Sequence, residues 1–313
     1  MSDTPKKTLH ITNGDSLNDW LLELKIKGDF AVWREMLCEG KTTYKIGDSA
    51  FIEARKSFLE GDYDIKTNDY ENKFISQLEI INNFQAYDEL VLWFEYDLFC
   101  HMNLMACLSH LAQQGCKKPM YLVCSGRVEG EKELKGLSEL TKAQLLDHFE
   151  KKVALTNNDL ILCDKIWRLY CSNDHLSLQP ILAKDSSFIY LANCISAHKK
   201  RFPEEQSGLN TLEMHILKLI QKHQISSENQ LCGYVLNYQG YYGYGDMQVL
   251  KMIKRLRSYF EKEGEYFVIS TKGQEAINGT TSMSTNDRAN AFFGGVSKYD
   301  YRYNKDSHQI TKV

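Results

Sequence analysis

The string Asn13-Gly14-Asp15-Ser16 places an amide, a carboxylate and a hydroxyl directly after a short apolar segment. A serine hydroxyl at such a turn becomes a nucleophile only when a base lies within hydrogen-bond distance. The backbone amides of a helix that follows the turn can instead bind an anion. Ser16 or Asp15 can also simply cap that helix. The string therefore predicts a ligand or reaction site, and these alternatives stay open.

Arg34 and Glu35 follow a second apolar segment at residues 30–33. An arginine in this position can hold a carboxylate or phosphate through two parallel hydrogen bonds. We predict that Arg34 clamps a polar or anionic ligand and that Glu35 is a candidate acid, base or orienting group. The alternative is an ion pair of Arg34 with Glu35 or Asp15 that holds the loops together.

Glu95 and Asp97 follow a strongly apolar segment at residues 89–94, and His101 and Asn103 come soon after them. Two carboxylates beside a buried helix can exchange protons with a substrate or hold a metal ion. Asp97 is equally suited to cap the next helix, on which His101 and Asn103 are polar groups among apolar ones. Buried polar groups need partners, so we predict catalytic roles for Glu95 or Asp97 and a ligand contact for Asn103.

The elements that must position these residues are short apolar strands alternating with helical patterns. Such alternation predicts an α/β fold with a mostly parallel sheet and flanking helices. Ligands of such sheets bind beyond the carboxyl ends of the strands, which selects the loops 13–16, 34–40, 95–97 and 125–131. The predicted strands begin at Leu9, Phe30, Glu89 and Met120, and the predicted helices cover 16–25, 47–60, 69–84 and 98–113.

Helical spacing alone continues after about residue 150. We expect an α/β domain at 1–150, a helical connector at 151–206 and a small winged-helix-like module at 207–313. The module is predicted from helices followed by a short strand, a wing-like turn and a capping-box sequence at Thr271-Lys-Gly-Gln274. The polar stretch from Thr280 to Asn290 is predicted to be flexible. The predicted helices of this half cover 160–171, 176–182, 188–202, 211–222 and 247–262.

Lys251, Lys254, Arg255 and Lys262 are predicted to share one side of the last of these helices. Such a stripe could contact a phosphate backbone, so a nucleic-acid-binding regulator that senses a small molecule is an alternative function. The other interpretation is a solvated charged face. A loop rich in tyrosine and glycine at 234–245 could be a recognition loop or a packed loop between domains.

Composition narrows the classes of function. The 313 residues carry a net charge of -3, which argues against a surface devoted to nucleic acid or anionic membrane. The apolar segments are too short to span a bilayer and the start lacks an apolar signal core, so we expect a cytoplasmic protein. The 9 cysteines form no closely spaced pair, which predicts free thiols and no zinc site, and no metal ligand is assigned. The sequence identifies no cofactor and leaves the oligomeric state open.

Two resemblances accompany these strings. Gly14-Asp15-Ser16-Leu17 resembles the motif of GDSL-type serine hydrolases, which implies Ser16 as nucleophile. That family also uses a later Asp-x-x-His string for its base, and this chain has none. A GDSL-type serine hydrolase is therefore retained only as a further alternative.

The chain also resembles the bacterial family called domain of unknown function 1835, with a C-terminal region similar to domain of unknown function 3658. This resemblance implies an α/β N-terminal domain and no particular activity. The strings that carry it are Leu9–Ser16, Val32–Gly40, Leu92–Leu98, Asn103-Leu104, Gly136-Leu137, Leu140-Thr141, Gln144-Leu145, Arg201–Pro203, Gly208-Leu209, Glu213, Gly294–Val296 and Tyr301–Asn304.

Overall fold

The computed structural model describes residues 6–280 and 291–313. Its strands are β1 (Thr8–Thr12), β2 (Asp29–Val32), β3 (Gly40–Lys41), β4 (Glu89–Phe94), β5 (Met120–Cys124), β6 (Val153–Ala154), β7 (Phe260–Glu263), β8 (Tyr266–Ile269), β9 (Phe292–Gly294), β10 (Val296–Ser297), β11 (Tyr301–Asn304) and β12 (Gln309–Lys312). Its helices are α1 (Asp15–Glu23), α2 (Ser49–Tyr63), α3 (Thr67–Tyr70), α4 (Ser76–Asn82), α5 (Leu98–Gln113), α6 (Lys142–Glu150), α7 (Asn157–Cys171), α8 (Leu191–Lys199), α9 (Thr211–Lys222), α10 (Glu228–Tyr238), α11 (Asp246–Arg255) and α12 (Thr271–Asn278).

The main sheet has the strand order β2-β1-β4-β5-β6. The first four of these strands are parallel, and the short β6 pairs with β5 in the antiparallel sense. All residues of β1 are buried, as is nearly all of β4, because helices cover both faces of the sheet. The predicted α/β class, with a mostly parallel sheet and flanking helices, is confirmed.

The helix α5 lies at the centre of the N-terminal half of the protein. It spans Leu98–Gln113 as predicted and is buried from Leu98 almost to its end. The Asp97 carboxylate caps it by accepting a hydrogen bond from the Cys100 amide at 2.7 Å. Since α7 packs along α5, the connector helices complete the core of the N-terminal sheet.

Three predicted helices differ in the structure. The helix predicted at 69–84 contains a π-helical segment at Glu71–Ile75, where Phe74 turns inward to meet Trp33. The helix predicted at 176–182 is only a 3-10 turn at Pro180–Ala183, because proline disfavours the α conformation in the residue before it. The helix predicted at 247–262 ends at Arg255, since Phe260–Glu263 pairs with β8.

The C-terminal part contains the helices α9, α10 and α11, then the antiparallel hairpin β7-β8 and the helix α12. This order fits the predicted winged-helix-like module. The predicted capping box at Thr271-Lys-Gly-Gln274 is wrong: Ser270 caps α12 by accepting from the Gly273 amide, and glycine has no side chain that could complete a box. The polar stretch predicted to be flexible lies outside the described residues after Thr280.

The last strands return to the N-terminal half. Gly40 and Lys41 of β3 pair in parallel with Phe293 and Gly294 of β9. The buried guanidinium of Arg201 lies 4.1 Å from the centre of the Phe293 ring. The pairing of β3 with β9 crosses both predicted boundaries, so the division at 1–150, 151–206 and 207–313 stays a prediction. Within the described residues, no helix is both long enough and apolar enough to span a membrane.

Candidate functional site

The strand order contains one switch point, where the connections from two neighbouring strands lead to opposite sides of the sheet. The connection from β1 leads to β2 on one side, whereas β4 leads to β5 on the other. The carboxyl ends of β1 and β4 therefore flank a crevice of the kind in which open α/β sheets bind ligands. A cavity of about 390 Å³, here named the switch-point cleft, opens there. Its wall includes Asn13, Gly14, Ser16, Trp93, Glu95, Asp97, Cys100, Ser138, Gly243, Asp246 and Gln248.

Glu95 and Asp97 are the predicted catalytic residues that this cleft brings together. One carboxylate oxygen of each, together with the Cys100 sulfur, lies within 4.8 Å of the others. Glu95 is partly exposed and accepts a hydrogen bond from the Leu137 amide at 2.7 Å. Burial first and the nearby Asp97 charge second raise the pKa of Glu95 to about 7. Glu95 can therefore both hold and release a proton near neutral pH.

Asp97 is almost fully buried, with 6% of its surface exposed. Burial raises its pKa to about 6, although the hydrogen bonds that it accepts from Cys100 oppose this effect. Asp97 thus acts both as the cap of α5 and as the nearest charge to Glu95. His101, one helical turn further along α5, has Nδ1 3.0 Å from the Asp97 carbonyl oxygen. Burial lowers the pKa of His101 to about 4, so this imidazole is neutral.

Asn103 lies behind the cleft and not in its wall. It is fully buried, and its amide nitrogen donates to the Asn13 side-chain oxygen at 2.8 Å. Its oxygen accepts from the Leu37 amide at 3.1 Å. Asn13 in turn donates to the Cys100 sulfur at 3.0 Å. The predicted ligand contact for Asn103 is therefore corrected to a positioning role, in which it ties the loops after β1 and β2 to α5.

Glu35 does not reach the cleft. Its side chain is fully buried and is paired with the equally buried guanidinium of Arg55, with Nη2 and Oε2 2.8 Å apart. The Tyr70 hydroxyl donates to the same carboxylate at 2.7 Å. The predicted acid or base role of Glu35 is corrected, because all of this carboxylate's surroundings are protein groups that hold α2 and α3 against the loop after β2.

Arg34 is engaged by Asp15. Its Nε and Nη2 donate to the Asp15 carboxylate at 2.9 and 2.6 Å, and its Nη1 donates to the Lys73 carbonyl oxygen at 2.8 Å. These contacts match the alternative of an ion pair between loops. Neither side chain lines the switch-point cleft, so the predicted ligand clamp is corrected to a bridge between α1 and the π-helical segment.

Ser16 and Gly14 do line the cleft. No histidine contributes to the wall among the described residues, so the base that a GDSL-type serine nucleophile needs is not beside Ser16. Gly14 has an extended backbone, and a Cβ atom added to it would meet no atom within 4 Å. A side chain at this position would therefore enter open space at the cleft without straining the chain.

The tyrosine- and glycine-rich loop covers one side of the cleft, which the sequence did not indicate. The amides of Leu98 and Phe99 donate to the carbonyl oxygens of Tyr241 and Tyr242 at 2.8 and 3.2 Å. Gly243 has a φ of +69°, and a Cβ atom there would lie 2.1 Å from the Asp97 carboxyl carbon. Only glycine lets the loop approach the carboxylate this closely.

The charge of the cleft wall is mostly negative. Glu95, Asp97 and Asp246 contribute carboxyl groups, and no lysine or arginine of the described chain lines the cleft. The amino-terminal ends of α1 and α11 face it and supply only partial positive charge. Gln248 was also missed by sequence reasoning; it is 5% exposed, and its amide nitrogen has no hydrogen-bond partner among the described residues.

Among the described residues, Glu95, Asp97 and Cys100 form a group whose spacing could hold a metal ion. The sequence left a metal open for the two carboxylates but assigned no ligand, and it did not indicate Cys100. Each already has protein partners: Glu95 accepts from Leu137, Asp97 accepts from the Cys100 amide, and the Cys100 sulfur accepts from Asn13. These contacts hold the two carboxyl groups in the cleft wall, where they can exchange a proton with a bound molecule.

The basic residues predicted to contact nucleic acid are placed differently from that prediction. Lys251 forms an ion pair with Asp62 of α2, and Arg255 lies 3.6 Å from the same carboxylate. Lys254 is exposed, and Lys262 lies on β7 beyond the end of the helix. The predicted stripe is therefore split, with two of its cations facing the N-terminal half.

Comparison with known proteins adds no relative. No family model matches the chain, and no curated protein is detectably similar to it in sequence.

Proposed function

We propose that this protein binds a small polar molecule in the switch-point cleft and that Glu95 exchanges a proton with it. The observation that carries the proposal is the Glu95 carboxyl group, which has a pKa raised to about 7 and forms part of the cleft wall. General acids and bases work best when their pKa lies near the working pH. A perturbed carboxyl group in a cleft is also a recognised indicator of a functional site.

The ligand that fits best is neutral or positively charged. The sequence predicted a polar or anionic ligand, but the cleft wall offers carboxyl groups and no described lysine or arginine. A hydroxyl, amide or amine of a ligand can donate to Glu95 or Asp97, whereas a phosphate would be repelled. Asn13 and Ser16 add neutral hydrogen-bonding groups, and Trp93 adds an apolar surface.

Asp97 has a supporting role in this proposal. Burial is the main cause of the raised pKa of Glu95, and the Asp97 charge raises it further, since like charges disfavour ionisation of their neighbours. Asn103 and Asn13 hold the two loops at a fixed separation through the hydrogen bond between their side chains. We also propose that the chain belongs with domain of unknown function 1835, which it resembles, and that it is cytoplasmic. Free, mostly buried cysteines are usual in cytoplasmic proteins.

The alternatives from sequence have less support. A nucleic-acid-binding regulator would need basic residues free to meet phosphate groups, but the Asp62 carboxylate already pairs with Lys251 and lies 3.6 Å from Arg255. A serine hydrolase would need a base near Ser16, and the described cleft wall contains no histidine. Both alternatives are therefore less well supported than proton exchange at Glu95.

A thermal-shift screen of neutral and cationic metabolites tests the proposal, because a ligand of the folded state raises the melting temperature. We expect at least one compound to stabilise the wild type. Its effect should be lost in Gly14→Leu, which fills the cleft, and weakened in Glu95→Gln. Gly233→Leu is the matched control, since a Cβ atom at this exposed helical glycine also meets nothing within 4 Å.

The proposal fails if no compound of these classes stabilises the wild type. It also fails if the stabilisation is the same in Gly14→Leu and Glu95→Gln as in the wild type and in Gly233→Leu. The second result would place the binding site elsewhere on the protein.

A further inference from the structure

A second cavity lies between the connector and the C-terminal module. It has a volume of about 590 Å³, within the usual range for small-molecule sites. The helices α8 and α9 and the loop after α10 form its walls. We name it the connector pocket. It shares no lining residue with the switch-point cleft, so its function is independent of the function proposed above.

The connector pocket is lined by two cations. Lys200 follows α8 and Lys218 lies on α9. Neither ammonium group has an ion-pair or hydrogen-bond partner among the residues of 6–280 and 291–313. Glu204 is the one carboxylate of the lining. The charged groups of the pocket therefore carry a net positive charge, in contrast to the acidic switch-point cleft.

Polar atoms inside this wall lack partners. The hydroxyl of Tyr242 is buried and accepts or donates no hydrogen bond within the described chain, and the whole residue is only 6% exposed. The same holds for the His215 Nε2 atom and the Thr211 hydroxyl. Burying a polar group without a hydrogen-bond partner is unfavourable. Because these residues line the pocket, a bound molecule with hydrogen-bonding oxygens could supply the missing partners.

Tyrosine rings add aromatic surface to the pocket. Tyr238 and Tyr241 line the pocket beside Tyr242. Tyr238 is 60% exposed, so its ring is accessible for contact. Aromatic side chains bind planar ring systems by stacking, which tolerates different rings. The pocket thus combines unpaired ammonium groups with aromatic surface.

We propose that the connector pocket binds a small phosphorylated molecule that carries a planar ring. Lys200 and Lys218 hold the phosphate group as point charges, the Tyr242 hydroxyl and His215 complete its hydrogen bonds, and the ring contacts Tyr238 or Tyr241. An aryl phosphate and a nucleoside monophosphate share this chemistry, and the volume of the pocket accommodates either.

Isothermal titration calorimetry with the full chain tests this proposal, using phenyl phosphate, AMP, adenosine and inorganic phosphate as probes. We expect phenyl phosphate or AMP to bind at least about tenfold more tightly than either adenosine or inorganic phosphate, because each of these lacks half of the recognised groups. The double variant Lys200→Gln/Lys218→Gln should weaken binding of the better probe by about tenfold or more. Lys222→Gln is the matched control, since Lys222 is exposed on α9 and does not line the pocket.

Tyr242→Phe separates a ligand contact from a structural role. Because its hydroxyl has no described protein partner, its removal should leave the melting temperature unchanged or raise it while it weakens probe binding. The proposal is overturned if neither phenyl phosphate nor AMP binds at millimolar concentration. It is equally overturned if the double lysine variant, with an unchanged melting temperature, binds the probe as tightly as Lys222→Gln does.

Discussion

Replacing Glu95 by glutamine should change how the stability of the protein depends on pH. The ordinary pKa of 4.5 describes the unfolded chain, and burial and Asp97 raise the pKa to about 7 in the folded protein. Between these values the folded state binds more protons than the unfolded state, so the free energy of unfolding falls as the pH rises. This difference in pKa lowers the free energy of unfolding by about 3 kcal/mol at about pH 8. The figure is an upper value, because water in the cleft screens part of the charge.

Glutamine has the shape of the protonated carboxyl group and can still accept the hydrogen bond from Leu137. The variant Glu95→Gln should therefore match the wild type within about 1 kcal/mol at about pH 5 and be more stable by about 2–3 kcal/mol at about pH 8. Urea unfolding followed by tryptophan fluorescence at several pH values measures this difference, since the chain has 4 tryptophans.

Asp159→Asn is a control in which the pH dependence of stability should have the opposite sign. Burial by itself raises the pKa of Asp159, but hydrogen bonds from Ser187 and Thr156 outweigh this effect and lower the pKa. Asp159 therefore stabilises the fold above its unfolded pKa, and its loss should destabilise the protein at neutral pH. The reasoning about Glu95 is refuted if Glu95→Gln and the wild type differ by a constant amount from about pH 5 to pH 8, or if the variant is the less stable protein at about pH 8.

Two other variants test the separate roles assigned to the predicted carboxylates. Asp97→Asn keeps a good helix cap but removes a charge, so the pKa of Glu95 should fall below about 7; carboxyl-carbon NMR titration measures it, and an unchanged pKa would contradict the coupling. Glu35→Gln leaves the buried guanidinium of Arg55 uncompensated and should lower the free energy of unfolding by about 3–5 kcal/mol. The same change at the exposed ion-pair residue Glu71 should cost less than about 1 kcal/mol in the urea assay; equal losses would refute the structural role of Glu35.

The sequence predicted the elements whose residues determine their own conformation. The strands at residues 89–94 and 120–124 and the helix at 98–113 have the predicted bounds. Their apolar runs fix the burial on both faces, and Asp97 fixes the start of α5 locally. Alternation of these strands with helices then sufficed to predict a parallel sheet and the edge at which its loops converge.

Elements that depend on distant partners were predicted less well. The helix α10 runs from Glu228 to Tyr238, so it includes the first residues of the stretch 234–245 that was interpreted as a loop. The helix α11 ends at Arg255, shortly before the strand β7 that pairs with β8. Periodicity extends through such a boundary because the apolar spacing of a helix and of a short strand overlap over a few residues. The pairing of β3 with β9, which joins the two ends of the chain, has no local signal at all.

By itself, the sequence determined which carboxylates follow the strands, because the order of residues and strands is a local property. Only the tertiary structure decided which of them lines the cleft. Arg55 pairs with Glu35 and Tyr70, from a separate helix, donates a hydrogen bond to it, whereas the loop at Gly243 closes over Asp97 and leaves Glu95 at the cleft. The pKa of a carboxyl group depends on burial and on neighbours that are remote in sequence, and packing alone brings those neighbours together.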